Sequence, residues 1–373
     1  MTQNIDKNAV KTPKKHQLGR INGLDFARFL AFFGMVFVNF KIVMLPMDAD
    51  LGNSAWFFSL LEGRAAALFV ILAGIGLGLS VQIAKLNHET GTGDFTVSTL
   101  KKGVFLFIIG LLNALIFSAD ILHYYGIYFI FAAFLAPLST SILKYIVIAL
   151  IVTATILLLA LDFDSGWNWQ TYEYEGFFTL EGGLTNLFYN GWHPVLPWLG
   201  FLLFGVILSR INLTNKAVQK KMIFIGLGIT IISYFVSSSI ISALFESNDK
   251  ELEALVPLFS MGPIPATIFY MISSTATACA IIAASIIFTK KFAQLPIVKA
   301  VNIAGRQSLT LYIAHIYLGM GIMEVAGLLG NSSVSAGILT SILFVFIISV
   351  GCNIWSNYFK HGPLEIIMRK IAG

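Results

Sequence analysis

The sequence predicts an all-α integral membrane protein, a polytopic bundle of about ten transmembrane helices with both termini cytoplasmic. Composition is the first reason. Of 373 residues, 57% are hydrophobic and 12% charged, where soluble domains carry about a quarter charged residues. Mean hydropathy is +0.82, too high for a water-soluble core and surface. The second reason is a series of long apolar runs, since one spanning helix needs about 20 such residues. The third is a regular alternation of charge between the runs.

In chain order the predicted spans are 25–46, 56–83, 100–117, 120–137, 143–161, 193–209, 221–245, 264–288, 306–326 and 335–357. The second is long enough to tilt or overrun the bilayer. The tail before the first span is basic, with Lys7, Lys11, Lys14, Lys15 and Arg20. The run after it is too long for a signal-peptide core and lacks a small-residue cleavage site, so that helix is expected to be retained. Lys85, Lys101 and Lys102 follow the second span, Arg210, Lys216, Lys220 and Lys221 the sixth, and Lys290, Lys291, Lys299 and Arg306 the eighth. Lys360, Arg369 and Lys370 lie in the C-terminal tail. The alternate linkers are acidic or neutral. Linker 162–192 holds Asp162, Asp164, Glu173, Glu175 and Glu181 without a basic residue, and linker 246–263 holds four acids with Lys250. Basic loops stay cytoplasmic, which sets the expected orientation. The division is a tail at 1–24, one transmembrane domain at 25–357 and a tail at 358–373.

The net charge of +5 comes from those loops, so no nucleic-acid partner is expected; the bilayer is the partner. Cys279 and Cys352 form neither a disulfide framework nor a metal box, and no metal is expected. No internal repeat is visible.

Ionisable groups inside a bilayer cost about 2.5–3.5 kcal/mol on insertion scales, so each normally faces a cavity or a partner. Asp25 and Arg28 share a helical face at the cytoplasmic end of the first span. They read either as an ion pair or as substrate ligands. Asn39 and Lys41 sit near its outer end, where a lysine can snorkel. Glu62 and Arg64 open the second span. Gly74, Gly76 and Gly78 loosely resemble a nucleotide loop, but no strand precedes them, so helix packing through Gly74 and Gly78 is expected. In "DILHYYGI", Asp120 is placed to start the fourth span, with His123 and Tyr124 on its face. Asp120 reads as a helix cap with interfacial neighbours, or as the orienter of His123 acting as a general base toward an outer acceptor. His193 stands beside Trp192 and Pro194 at the start of the sixth span, where a second outer polar group or a simple interfacial residue would sit. Trp167 and Trp169 lie in the acidic aromatic linker and read as an interfacial belt or as a stacking platform for a sugar-like acceptor. In the ninth span, Ser308, Tyr312, His315 and Gly319 form one stripe. His315 stands about 14 Å above Arg306, either as a buried histidine bonded to a tyrosine or backbone carbonyl, or as a functional group.

Several of these segments carry a resemblance. "RINGLDFARFLAFFGMVFVN", "LEGRAAALFVILAGIGLGL", "DILHYYGI", "HPVLPWLGFLLFG", "GRQSLTLYIAH" and "FKHGPLEIIMR" together resemble the YeiB-like bacterial membrane proteins. They also resemble the related catalytic domain of heparan-alpha-glucosaminide N-acetyltransferase. The resemblance spans nearly the whole chain and rests on order and spacing. It implies a transmembrane acyltransferase bundle that uses cytosolic acyl-CoA, typically acetyl-CoA, and acylates an amino sugar on the far side. In that acetyltransferase branch the catalytic histidine lies outside, between the first two conserved helices. The matching loop, 42–61, contains no histidine. His123 and His315 are the substitutes by position.

The expected enzyme is a multi-pass acyltransferase of a bacterial cytoplasmic membrane. Arg28, Arg306 and the basic linkers would meet the donor's phosphates, because arginine suits phosphate geometry. His315 would lie near the thioester, and His123, held by Asp120, would deprotonate a hydroxyl or amine acceptor. Arg64 would steady the acceptor or the developing oxyanion. Glu62, Tyr124, His193, Trp167 and Trp169 complete the acceptor side. A small-solute transporter or a flippase for a lipid-linked substrate is the rival class, since buried polar groups also suit passage. A non-catalytic sensor is the third. The sequence is silent on oligomeric state.

Overall fold

The computed structural model describes residues 20–86, 92–247 and 249–373. Lys7, Lys11, Lys14 and Lys15 of the predicted basic tail lie outside the described residues. The described chain is an all-α bundle. Its helices are α1 (Asn22–Met44), α2 (Ala55–Leu61), α3 (Arg64–Leu86), α4 (Gly93–Ala114), α5 (Leu122–Leu135), α6 (Thr140–Ala160), α7 (Leu180–Thr185), α8 (Val195–Leu208) and α9 (Lys216–Glu246). They continue with α10 (Lys250–Glu253), α11 (Val256–Phe259), α12 (Ile268–Lys291), α13 (Pro296–Gly305), α14 (Ser308–Ala314), α15 (Gly321–Val325), α16 (Val334–Ser356) and α17 (Pro363–Ala372). Strands β1 (Trp167–Asn168) and β2 (Glu173–Tyr174) form a small antiparallel hairpin.

Every predicted span is helical, yet among the described residues eight helical stretches are long and apolar enough to cross a membrane, or up to nine with one bent pair. Two departures, the short α5 and the bend before α8, account for the difference from ten, and a third break leaves the count unchanged. The predicted span 56–83 breaks at Glu62–Gly63, where Gly63 takes a φ of +69°, so α2 is a short preamble to α3. The predicted span 120–137 shrinks to the 14 residues of α5, about 21 Å of helix, short of the roughly 30 Å hydrocarbon core. Its opening residues stay unwound because Asp120 turns its carboxylate back onto the Leu122 N–H, at 2.8 Å. The predicted span 193–209 is α8, joined at a 50° bend to the stretch Leu180–Asn190.

Broken helices are tolerated at membrane depth only where the freed backbone groups find partners. Here they do. The Tyr128 hydroxyl donates to the His193 carbonyl at 2.5 Å, and the Trp167 indole to the Asn190 carbonyl at 2.6 Å. The Tyr124 hydroxyl donates to Asn186 at 2.6 Å and accepts from the Trp192 N–H at 3.2 Å.

The centre of the bundle is α1, α3, α8 and α12, with α4 and α5 paired beside it. Helices α6, α9 and α16 present mostly exposed apolar residues, as lipid-facing helices must. Helices α3 and α8 cross at Gly74 and Gly205, where a Cβ on either would run into the other helix's carbonyl. This is the small-residue packing expected of Gly74 and Gly78. Gly76 differs: it faces a cavity beside Arg28.

Candidate functional site

Polar side chains gather at the two ends of the bundle and along a buried line between them. One end is basic. Asp25, 2% exposed, accepts from Arg20 Nε and Arg28 Nη1, each at 2.7 Å, and has Arg306 Nε at 3.6 Å. One carboxylate thus organises three guanidiniums, and positive charge is left over. Beside it opens a cavity of about 620 Å³ lined by Arg20, Arg28, Lys102, Arg306 and Arg369, with Glu365 the one acidic side chain among its described lining residues. Glu365 is fully engaged elsewhere. It accepts from the Leu309 and Thr310 N–H groups at 2.8 and 3.2 Å and from the Thr310 hydroxyl at 2.6 Å. It therefore caps the N-terminus of α14, where a carboxylate also meets the positive end of the helix dipole. That cap seats α17 and carries Arg369 to the cavity. The buried Arg306 Nε has no hydrogen-bond partner among the described residues. His361 also lines this cavity. Burial, followed by Arg369, Arg20, Lys360 and Arg306, holds its imidazole below the usual histidine range.

The cavity floor includes Leu122 and Tyr125, which flank His123 in the chain. Behind them lies the buried line. Asp120, wholly buried, accepts from Asn113 and from the Tyr312 hydroxyl, each at 3.1 Å. His123 Nδ1 stands 3.5 Å from its other oxygen. That is close enough for attraction to an imidazolium and too long for a hydrogen bond. Neither His123 ring nitrogen has a hydrogen-bond partner among the described residues. The ring lies against Tyr124 at 3.9 Å and meets Phe177 at 5.7 Å. His315 is the opposite case. Its Nδ1–H donates to the Tyr312 carbonyl, and its Nε2 accepts from Asn39 at 2.9 Å. Both nitrogens are satisfied, as a neutral buried histidine requires.

The other end is acidic and aromatic. It lies beyond Lys41, about 24 Å along α1 from Asp25. A cavity of about 430 Å³ there is lined by Lys41, Glu62, Asp164, Trp169, Tyr172 and Trp192. Lys41 pairs with Glu62 at 3.6 Å. Burial, with Glu62 adding, pushes the Tyr172 phenol up. Trp167 and Trp169 stack on each other at 4.5 Å and 14°, with Trp192 edge-on to both.

Asp25, Arg28 and Arg306 thus meet at one end, and Asp120, His123 and His315 share the buried line through Tyr312. Asp120 precedes α5 rather than starting it, and reaches His123 across the unwound turn. Arg64 stands apart, donating to the Ser59 carbonyl at 2.8 Å. Tyr124 is committed to the bend before α8, and His193 packs edge-on to Trp198 at 4.6 Å. Five contributors are not singled out by sequence reasoning: Lys102 counts only within a basic linker, Arg20 and Arg369 only as tail charge, and Asn113 and Glu365 not at all. Asn113 had a signal, as a lone amide in an apolar run. Glu365 had a weaker one, the carboxylate of "GPLEIIMR".

Two family models match the chain. A family model described as "Heparan-alpha-glucosaminide N-acetyltransferase, catalytic" matches residues 20–236, and one described as "Protein of unknown function (DUF418)" matches residues 207–373. No curated protein matches the chain. The first match supplies Asp25, Arg28, Asp120 and His123, and the second supplies Arg306, His315, Glu365 and Arg369. Because the first match covers more than half of the sequence, the chain belongs to the family of the heparan-alpha-glucosaminide N-acetyltransferase catalytic domain, and its C-terminal part matches the YeiB-like DUF418 family.

Proposed function

We propose that this protein is a membrane acyltransferase moving an acyl group, acetyl first among them, from cytoplasmic acyl-CoA to an amine or hydroxyl of a sugar-like acceptor at the opposite face. The observation that carries the reading is a pair of unlike cavities at the two ends of the bundle with a buried polar line lying between them. The basic cavity of about 620 Å³ fits a polyphosphorylated donor, because five cationic side chains face it and the one acidic side chain among its described lining residues, Glu365, is used up as a helix cap. Arg28, Arg306, Arg369 and Lys102 would hold the phosphates. Arg306 Nε, 3.6 Å from Asp25 and without a hydrogen bond among the described residues, would donate to an anionic acceptor.

A bound acyl-CoA would supply the activated thioester carbonyl. The chain's own part is binding and proton handling. His123 takes the acceptor's proton, since neither of its nitrogens is tied up in a hydrogen bond among the described residues. Asp120, at 3.5 Å, favours the imidazolium that results. Asn113, Tyr312 and the Leu122 N–H hold Asp120 in place. His315 keeps Tyr312 and Asn39 in register through its two hydrogen bonds. At the acidic end, Glu62 and Trp169 meet the acceptor, while Trp167, Tyr124 and His193 hold the wall. Atoms balance: a C–N or C–O bond forms, the C–S bond breaks, and the acceptor's proton passes through His123 to the leaving sulfur.

The test is acetyl-CoA binding and labelled-acetyl transfer by purified protein in proteoliposomes, with Arg306→Ala and His123→Ala alongside. Saturable binding should weaken about tenfold in Arg306→Ala. Transfer should fall about 10²- to 10⁴-fold in His123→Ala with donor binding intact. No binding at any acyl length would overturn the reading in favour of transport.

A further inference from the structure

A second opening at the acidic end lies among exposed apolar residues on the side of the bundle. It is a groove of about 600 Å³ between the end of α4 and the segment 173–179, lined by Leu115, Ser118, Trp167, Glu173, Glu175 and Phe177 among others. Three features set it apart from the cavity at Lys41. Glu173 and Glu175 are its only charged lining residues. Its rim is strongly apolar, with Leu115 65%, Ile116 58%, Phe178 71% and Leu180 81% exposed. Below it, Val104, Ile108, Leu112 and Leu115 form an exposed stripe on α4, each at least half exposed. Their spacing keeps them on one helical face, which runs about 16 Å down the outside of the bundle.

The groove also stands next to His123. Phe177 forms part of its wall, and the same ring meets the edge of His123 at 5.7 Å. His123 is 2% exposed, with neither ring nitrogen in a hydrogen bond among the described residues. Asn186, another lining residue, is fixed by the Tyr124 hydroxyl at 2.6 Å. One aromatic ring thus separates this groove from the proposed base.

We infer that the groove admits a membrane-borne amphiphile whose head carries a primary amine. The apolar tail lies along the α4 stripe, the aromatic walls take the neck, and the two glutamates attract the ammonium. An anionic head is disfavoured by the same carboxylates. Rotation of Phe177 then gives the amine access to His123. This names an acceptor class for the transfer proposed above and rests on that reading for its chemistry, while the binding stands without it.

The experiment uses the full chain in lipid nanodiscs with a photoreactive dodecylamine, and with dodecyl phosphate carrying the same photogroup. The amine probe should label the segments 114–118 and 173–179, competed by dodecylamine. The double variant Glu173→Gln, Glu175→Gln should lose about fivefold of that labelling with an unchanged melting temperature. Phe177→Ala should keep it. Equal labelling by the phosphate probe, labelling confined to other segments, or no loss in the double variant would overturn the inference. Acetyl transfer to dodecylamine, measured in the same nanodiscs against soluble glucosamine, separates the two claims. Labelling without transfer keeps the groove and removes the reaction; transfer without groove labelling does the reverse.

Discussion

At the scale of single residues, the two buried histidines have opposite surroundings and should fail differently. His315 has both nitrogens bonded, to Tyr312 and to Asn39, so truncation leaves an orphaned amide and carbonyl. His315→Ala should destabilise the bundle, about 1–3 kcal/mol for the unsatisfied groups, and lower its melting temperature in detergent. His123 has no such bonds, so His123→Gln should melt near the parent while transfer falls about 10²- to 10⁴-fold. The reverse pattern would exchange their roles. His361 supports a proton-linkage prediction outside the spans. Its imidazole is held down by burial and by Arg369, Arg20, Lys360 and Arg306. A bound phosphate offsets those cations and raises it. Binding therefore takes up a proton. Affinity should fall as pH rises between the lowered free-state value and the raised bound-state value, by at most about tenfold per unit. Calorimetry of CoA binding in two buffers of different ionisation enthalpy reads that uptake, and His361→Ala should abolish it.

At the scale of elements, α17 is the piece whose importance least matches its appearance. It has 10 residues, an amphipathic face and a carboxylate at its start. Through Glu365 it caps α14, and through Arg369 it completes the basic cavity. Glu365→Ala should free the helix and weaken donor binding about as much as Arg369→Ala, roughly tenfold. Glu365→Gln, which retains an acceptor oxygen, should lose less. A variant set in which Arg369→Ala binds normally would detach α17 from the donor site. At the α3–α8 crossing, Gly74→Leu would force apart two backbones now in contact and should cost about 1–3 kcal/mol, read as a lowered melting temperature. The apolar runs and the Gly74 packing were legible because length, hydropathy and small residues are local properties of the chain. The breaks at Gly63 and before α8 were not, because the partners that pay for them lie far away in sequence, and the turn before α5 needs the distant Tyr312 hydroxyl as well as the local Asp120 carboxylate. Tyr124 looked like a ligand from its place beside His123; its hydroxyl instead holds a loop more than sixty residues on. The Asp25–Arg28 pair was legible from helical spacing, whereas Arg369 joins it only through tertiary docking.

At the scale of the whole molecule, the two ends of the bundle differ in charge, and the basic one is built jointly. Arg20, Arg28 and Lys102 come from the part matching the acetyltransferase catalytic domain, and Arg306 and Arg369 from the part matching DUF418. Neither part lines the cavity alone, so donor binding should require the full chain. The basic loops and the basic cavity share one end, and the acidic linker occupies the other, the charge asymmetry that orients helices during insertion. Donor and acceptor should then meet from opposite sides of the bilayer. Cysteine mapping tests this cleanly, because Cys279 and Cys352 sit on apolar helices and are at most partly exposed. Lys360 and Glu181 are exposed at the two ends. In spheroplasts, an impermeant maleimide should label Glu181→Cys and leave Lys360→Cys untouched until the membrane is opened. Labelling of both from one side would place the two cavities in a single compartment. Acyl transfer across the membrane would then have no structural basis, and the buried line from Asn39 to His123 would need another role.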